Sequence, residues 1–155
     1  MKKSAGIVAY KIIDNQIYVF LAHMGGPYWE GVNTWSILKG EHNKKEKIID
    51  TAIREFQEEC GVKVEFQNLS YLHSEKQSKN KLVVFFTGEA EIDSNNCFSN
   101  TFPLEWPKGS GNIQEFPEMD EYRWFPIEEA KKIILRGQRK SLIKLKRVLE
   151  EKYEL

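Results

Sequence analysis

The sequence has few cysteines, no excess charge of either sign and no long hydrophobic run. Cys60 and Cys97 are the only two cysteines among 155 residues, and neither is paired with histidines at zinc-site spacing. Lys plus Arg and Asp plus Glu each total 23, so the zero net charge argues against a broad nucleic-acid-binding surface. Lys11 and Asp14 interrupt the first apolar stretch, which excludes a signal peptide and a membrane span. We expect a soluble, reduced, cytoplasmic protein.

The remaining composition is that of an ordinary folded domain. Hydrophobic residues make up 41% of the chain and charged residues 30%. A chain of this length can bury about two-thirds of its unfolded surface, so it needs no disulfide or metal to fold. No linker or internal repeat interrupts it, and we expect a single domain over residues 1–155.

Strand-type and helix-type segments alternate along the chain, which predicts an α/β or α+β sandwich. β-Branched and aromatic residues predict strands at 6–13, 16–22, 62–72, 81–90 and 121–125, with an extended piece at 35–38. Residues 24–34 are predicted as a loop, and 93–118 as an ordered irregular loop held by its aromatic residues. A helix is predicted from Pro126 to near Gly137, and another around Leu142, Leu145 and Leu149.

The clearest helix is predicted over residues 46–60. Its apolar residues recur at helical spacing and form one stripe: Ile49, Ala52, Ile53, Phe56 and Cys60. Asn43 and Glu46 have the spacing of a capping box at its start, and Gly61 suits a C-terminal cap.

Three glutamates cluster beside this stripe. Glu55, Glu58 and Glu59 stand at i, i+3 and i+4, where like charges cost about a few tenths of a kcal/mol per pair. One interpretation is a solvated charged face, helped by Arg54 and Lys63. The other is a site for a hard divalent cation such as Mg²⁺, which takes oxygen ligands and reverses the repulsion.

The wider spacing favours the second interpretation. Gly40 is followed at fixed intervals by Glu46, by Arg54 and Glu55, by Glu58 and Glu59, and by Gly61 and Val62. This pattern, G-x5-E-x7-R-E-U-x-E-E-x-G-U with U apolar, resembles the signature of the Nudix hydrolase family. At average composition a chance match in this chain has a probability on the order of 10⁻⁷ or less.

The resemblance implies an α/β/α sandwich with a mixed β-sheet between helices, and a MutT-like or diadenosine polyphosphate hydrolase-like enzyme. It implies that Glu58, Glu59 and the Gly40 carbonyl hold Mg²⁺, with Mn²⁺ as an alternative. Glu55 would be a further ligand or help to activate water, and Arg54 would orient and neutralise the glutamates. Glu46 would brace the loop, and Gly61 would be a structural turn.

Residues outside the signature complete the predicted site. Lys39 is a candidate contact to a substrate phosphate, although Leu38 stands where many family members have proline. The stretch from Glu118 to Trp124 resembles the Glu-…-Tyr-Arg-Trp segment of asymmetrically cleaving diadenosine tetraphosphate hydrolases. On this match Glu118 is the candidate base or metal ligand, with Glu115 in reserve.

Two aromatic residues of the first loop are candidates for substrate binding. Tyr28 and Trp29 follow Gly25-Gly26-Pro27, and either ring could stack on a nucleobase. The alternative is that both rings pack within the protein, beneath the loop.

The sequence therefore predicts an Mg²⁺-dependent pyrophosphohydrolase, a monomer or homodimer acting on a nucleotide-type small molecule. The family's short markers for ADP-ribose, for NADH and for one diadenosine polyphosphate group are absent, since Gln77 and Ser78 stand at the first position and Lys79 at the last. The stretch from Glu118 to Trp124 and the loop at 25–29 favour dinucleoside polyphosphates or (d)NTPs. The alternatives are a Nudix-fold binding or regulatory domain and an RNA 5′-end pyrophosphohydrolase. Nudix-fold binding domains usually lack some of the signature glutamates, all of which this chain keeps. Only the short basic stretch 136–147 favours an RNA substrate.

Overall fold

A mixed β-sheet lies between helices in the computed structural model, which describes residues 1–155. The nine strands are β1 (Lys2–Ile13), β2 (Gln16–Met24), β3 (Trp35–Ser36), β4 (Leu38–Glu41), β5 (Gln67–Ser78), β6 (Lys81–Glu89), β7 (Thr101–Glu105), β8 (Ile113–Pro117) and β9 (Met119–Pro126). The three helices are α1 (Ile48–Cys60), α2 (Ile127–Ile133) and α3 (Arg139–Tyr153). Seven strands form the main sheet, and β7 and β8 form a separate hairpin.

Strand β1 is the centre of the main sheet. It runs parallel to β6 along most of its length and antiparallel to β2 and β4 on its other side. The first hairpin closes as predicted at Asp14 and Asn15, whose φ angles of 51° and 63° are left-handed. Beyond these pairs β5 adds to β6 and β9 adds to β2. The segment 38–41 is thereby fixed against β1, and residues 42–47 connect it to α1.

The two faces of the sheet carry separate cores because successive side chains of a strand point to opposite faces. On one face Val8 and Tyr10 pack with the predicted stripe of α3. On the other face Ile7 and Ala9 pack with Phe56 and its buried neighbours on α1. This arrangement confirms the α/β/α sandwich. No helix combines the length and the apolar character needed to cross a membrane.

The start of α1 differs from the prediction. The helix begins at Ile48, and the residue before it, Lys47, makes no side-chain capping bond. The capping-box prediction was wrong, since Asn43 Oδ1 accepts instead from the Lys45 amide at 3.0 Å, and Glu46 bonds to Arg54. Asn43 and Glu46 both precede the helix, and the Glu46 carboxylate also accepts from the Thr51 hydroxyl at 2.7 Å. At the other end Gly61 has φ 73° and caps the helix as predicted.

Two further segments differ from their predictions. Strand β5 begins at Gln67 rather than at Val62, because the Val64 amide donates to Gln57 Oε1 at 3.0 Å and holds the chain against the end of α1. Residues 93–118 are not an irregular loop, since they include the β7–β8 hairpin. Phe102 and Phe116 face each other across it, their ring centroids 6.2 Å apart. The prolines and glycines of this segment hide the alternation that marks a strand.

Candidate active site

Arg54 links the loop before α1 to the glutamates on the helix. Its Nη2 donates to Glu46 Oε1 at 2.6 Å and to the Glu41 carbonyl at 3.3 Å. Its Nη1 donates to Glu55 Oε1 at 2.8 Å and lies 3.3 Å from Glu58 Oε2. The Arg54 hydrogen bonds lower the pKa of Glu46 to about 2. One guanidinium therefore fixes the side chains of three carboxylates.

Gly40 lies in β4 directly beneath the Glu55 side chain. A Cβ atom added to Gly40 would stand 2.0 Å from Glu55 Oε2, closer than any van der Waals contact allows. Gly40 pairs with Ala5 of β1, so its backbone cannot easily move away. The carboxyl group of Glu55 thus occupies the space that only glycine leaves open.

Glu59 is the most buried of the three helix glutamates. Its Oε2 atom is buried and has no hydrogen-bond partner. Burial, together with the charges of Glu55 and Glu118, raises the pKa of Glu59 to about 8, and the charge of Lys39 opposes this shift. The fold thus holds a carboxyl group in a place where its charge is poorly compensated.

Glu118 joins this cluster from a distant part of the sequence. Its backbone N–H donates to the Asn100 carbonyl and its carbonyl accepts from the Gly25 N–H, each at 2.9 Å. Its charge contributes to the raised pKa of both Glu55 and Glu59, although burial is the larger cause at each. The structure therefore brings Glu118 to the helix glutamates.

Glu115 lies elsewhere. It is exposed on the outer face of the hairpin, opposite Pro103 and away from the half-buried rings of Phe102 and Phe116. Glu118 is exposed as well, so the choice between the two glutamates stays a prediction.

The donor set of the cluster suits a hard divalent cation. Arg54 holds Glu55 and Glu58 toward itself, and no three acidic, histidine or cysteine side chains converge with metal-site geometry. The unpartnered Oε2 of Glu59 is nevertheless a buried oxygen donor beside two further carboxylates. A cation bound there would satisfy that oxygen and offset the repulsion, so the residues fit Mg²⁺ or Mn²⁺.

The predicted substrate residues fall into two groups. Lys39 is half-buried next to Gly40, and its charge acts on Glu59, so it belongs to the cluster. Tyr28 is 61% exposed, and Trp29 is half-buried in a turn closed by hydrogen bonds to Gly26 and Val32. These two rings belong to the loop that Gly25 ties to Glu118.

Sequence reasoning missed two residues of the site. The Tyr122 hydroxyl donates to the Glu59 carbonyl and so ties β9 to the end of α1. The ring of Trp106 lies 5.3 Å from the ring of Tyr28. No local signal identifies either contact, since each joins segments that are far apart in the sequence.

Comparisons with known proteins agree with this geometry. A sequence model described as NUDIX domain matches residues 2–145 of the chain. No curated protein matches the chain. The structure of an Ap4A hydrolase binary complex from C. elegans has 19% sequence identity and a TM-score of 0.61, with 97% of this chain and 99% of that chain covered.

Two further solved structures share the fold. A mutT/nudix family protein from Listeria innocua has 14% identity and a TM-score of 0.61, with 98% of this chain and 96% of that chain covered. The NUDIX domain of Shewanella oneidensis NrtR, in a cocrystal structure with ADP ribose, has 16% identity and a TM-score of 0.60, with 94% and 85% covered. At these identities the likeness is one of fold, and the family assignment comes from the sequence match over nearly the whole chain. The chain belongs to the NUDIX domain family.

Proposed function

We propose that this Nudix hydrolase cleaves a phosphoanhydride of a nucleoside diphosphate linked to another moiety, with a divalent cation held by the α1 glutamates. The observation that supports this most directly is the buried, unpartnered Oε2 of Glu59 beside the charges of Glu55 and Glu118. A fold that buries a carboxylate without a partner loses stability unless a ligand compensates it. A divalent cation bound to the phosphate chain of a substrate is such a ligand.

The proposed ligands are Glu55, Glu58, Glu59, Glu118 and the carbonyl of Gly40. Mg²⁺ is the expected ion, and Mn²⁺ is an alternative with similar oxygen ligands. When bound, the ion neutralises phosphate oxygens and makes a bound water more acidic. Most of the positioning is then done by the protein.

The remaining roles belong to residues around the glutamates. Arg54 orients Glu55 and Glu58 through its two short contacts. We assign Glu118 as the general base, because its backbone is held by both Gly25 and Asn100 and its charge acts on Glu55 and Glu59. The half-buried Lys39 is assigned to a substrate phosphate, since its ammonium already lies close enough to act on Glu59.

Dinucleoside polyphosphates or nucleoside triphosphates are the proposed substrates. The segment from Glu118 to Trp124 resembles the corresponding stretch of diadenosine tetraphosphate hydrolases, and the C. elegans Ap4A hydrolase has the same fold over nearly its whole length. Both substrate classes have the phosphoanhydride and the nucleoside that this site would need.

The assignment of Glu118 is tested by a matched pair of variants. Glu118→Gln removes the proposed base and is expected to lower kcat by about 100-fold or more. Glu115→Gln makes the same substitution at a glutamate three positions earlier, on the outer face of the hairpin, and is expected to keep kcat within about twofold. Steady-state kinetics in Mg²⁺ would measure both. The reverse order of effects would identify Glu115 as the base instead.

The function is tested by a substrate panel in Mg²⁺. Diadenosine tetraphosphate, the (d)NTPs, ADP-ribose and NADH are incubated with the protein, and phosphate-containing products are separated by chromatography. We expect turnover of diadenosine tetraphosphate or of a nucleoside triphosphate, lost with EDTA and restored by added Mg²⁺. Turnover of ADP-ribose alone would contradict the proposed substrate class, and turnover that survives EDTA would contradict the metal dependence.

A further inference from the structure

The hairpin β7–β8 has two unlike faces. Phe102, Leu104 and Phe116 are half-buried on its inner face, while the intervening residues are exposed on its outer face. The inner face packs on the loop after β2, where a Cβ at Gly26 would lie 3.0 Å from the Phe102 ring. Gly26 has φ +93°, a conformation that also favours glycine. The hairpin is thus docked on the loop and does not extend freely into solvent.

Tyr28 and Trp106 meet at the edge of this contact. Their ring centroids are 5.3 Å apart and their planes are inclined at 76°, so the two rings form a corner with perpendicular walls. Tyr28 is 61% exposed, which leaves much of its ring open to solvent. The half-buried Trp106 ring holds one side of it in place. We call this pair the aromatic corner.

The aromatic corner lies close to the candidate base. Gly25 donates to the carbonyl of Glu118 at 2.9 Å, and Tyr28 follows Gly25 by only three residues. Three residues of extended chain span at most about 10 Å, and the turn between Gly26 and Trp29 shortens this reach. A nucleotide whose phosphates occupy the glutamate cluster can therefore reach the aromatic corner with its base.

We propose that the aromatic corner binds the nucleobase of the substrate, with the base stacked on the open ring of Tyr28 and Trp106 forming a second wall. This inference rests on the proposed function, and it adds a nucleobase subsite made partly by the β7–β8 hairpin. Aromatic faces stack on every nucleobase, and no charged side chain is needed for the contact. We therefore expect little discrimination between purine bases at this subsite. Trp29 is half-buried and makes no ring contact with Tyr28 or Trp106, so it is not part of the aromatic corner.

The test separates the base from the phosphates. Binding of a methylene-bridged, non-hydrolysable ATP analogue and of inorganic tripolyphosphate is measured by calorimetry in Mg²⁺. Tyr28→Ala and Trp106→Ala are expected to weaken analogue binding by about 5- to 150-fold, the range for one stacked base, and to leave tripolyphosphate binding within about twofold. Tyr28→Phe and Trp106→Phe keep the rings and are expected to retain most of the affinity.

Ile113→Ala is the matched control. Ile113 is 66% exposed on the outer face of the same hairpin, opposite Glu105, so its loss removes an apolar side chain without touching the aromatic corner. For the substrate that the wild type hydrolyses, both alanine variants of the corner are expected to raise KM and to keep kcat within about twofold. Ile113→Ala is expected to change neither constant.

The outcomes distinguish the subsite from the function. Wild-type hydrolysis with unchanged KM and analogue affinity in Tyr28→Ala would overturn the subsite and leave the function standing. Analogue binding that depends on Tyr28, without hydrolysis of any nucleotide, would overturn the function and support the subsite. If Trp106→Ala also weakens tripolyphosphate binding, that substitution has disturbed the hairpin. The Tyr28→Ala measurement then tests the subsite, because Tyr28 is highly exposed and its loss leaves the hairpin intact. A wild type that binds neither probe and hydrolyses nothing would overturn both.

Discussion

Glu59→Gln is expected to lower the hydrolysis rate by about two to three orders of magnitude and, at pH 8, to make the metal-free protein more stable. The rate falls because the amide is a poor ligand for a divalent cation. The stability rises because the variant has no charge at a site where the wild type buries a carboxylate oxygen without a partner. A purely structural glutamate would lose stability on the same substitution.

The pH dependence of this effect follows from the raised pKa of Glu59. Below pH 4.5 the carboxyl group is protonated in the folded and unfolded chains, so its titration costs nothing. As the pH rises from 4.5 to about 8, the unfolded chain ionises while the folded chain keeps its proton, and stability is lost. At about 1.4 kcal/mol per pKa unit the loss amounts to a few kcal/mol. The difference between variant and wild type is therefore largest above pH 8.

Thermal unfolding in EDTA at pH 5 and pH 8.5 measures this difference. Glu59→Gln is expected to raise Tm by about 5 °C or more at pH 8.5 and by much less at pH 5. Glu58→Gln is the matched control, since Glu58 is exposed and pairs with Arg54. The Glu58→Gln variant is expected to hydrolyse the substrate more slowly without an increase in Tm. Full activity of Glu59→Gln in Mg²⁺ would refute the ligand role, and an unchanged Tm at pH 8.5 would refute the account of the buried charge.

Gly40→Ala is expected to lower kcat/KM by about 100-fold or more while the protein stays folded. The added Cβ would stand 2.0 Å from Glu55 Oε2, so the carboxyl group must leave its position. Arg54 holds that carboxyl at 2.8 Å, and β1 holds the Gly40 backbone through the pair with Ala5, so neither side can yield without losing a contact. A single methyl group thus displaces a proposed ligand.

Gly137→Ala serves as the control for Gly40→Ala. A Cβ at Gly137 meets nothing closer than Gln77 Nε2 at 4.0 Å, and this glycine has no left-handed φ. It is expected to keep kcat/KM within about twofold. Kinetics in Mg²⁺ measure both variants, with far-UV circular dichroism to confirm folding. Wild-type activity in Gly40→Ala would mean that the position of the Glu55 carboxyl group against β4 is not required.

Most of the fold could be predicted from local sequence patterns. The stripe of Leu142, Leu145 and Leu149 is buried as predicted, because helical spacing alone puts these residues on one face. Gly61 is left-handed as predicted, because its role depends only on the turn that ends α1. The capping-box prediction was wrong because α1 begins only at Ile48, beyond both Asn43 and Glu46, and that boundary depends on how the preceding loop packs.

The same distinction between local and tertiary information applies to the candidate site. The sequence by itself determined that Glu55, Glu58 and Glu59 share one side of a helix and that Arg54 lies beside them, because helical periodicity sets the spacing of neighbours. Only the tertiary structure decided that Glu59 Oε2 is buried without a partner, that the charge of Glu118 acts on Glu59, and that Trp106 meets Tyr28. Burial and contacts between distant segments depend on how strands pair and pack around a residue, and this information is absent from the residue's own neighbours in the sequence.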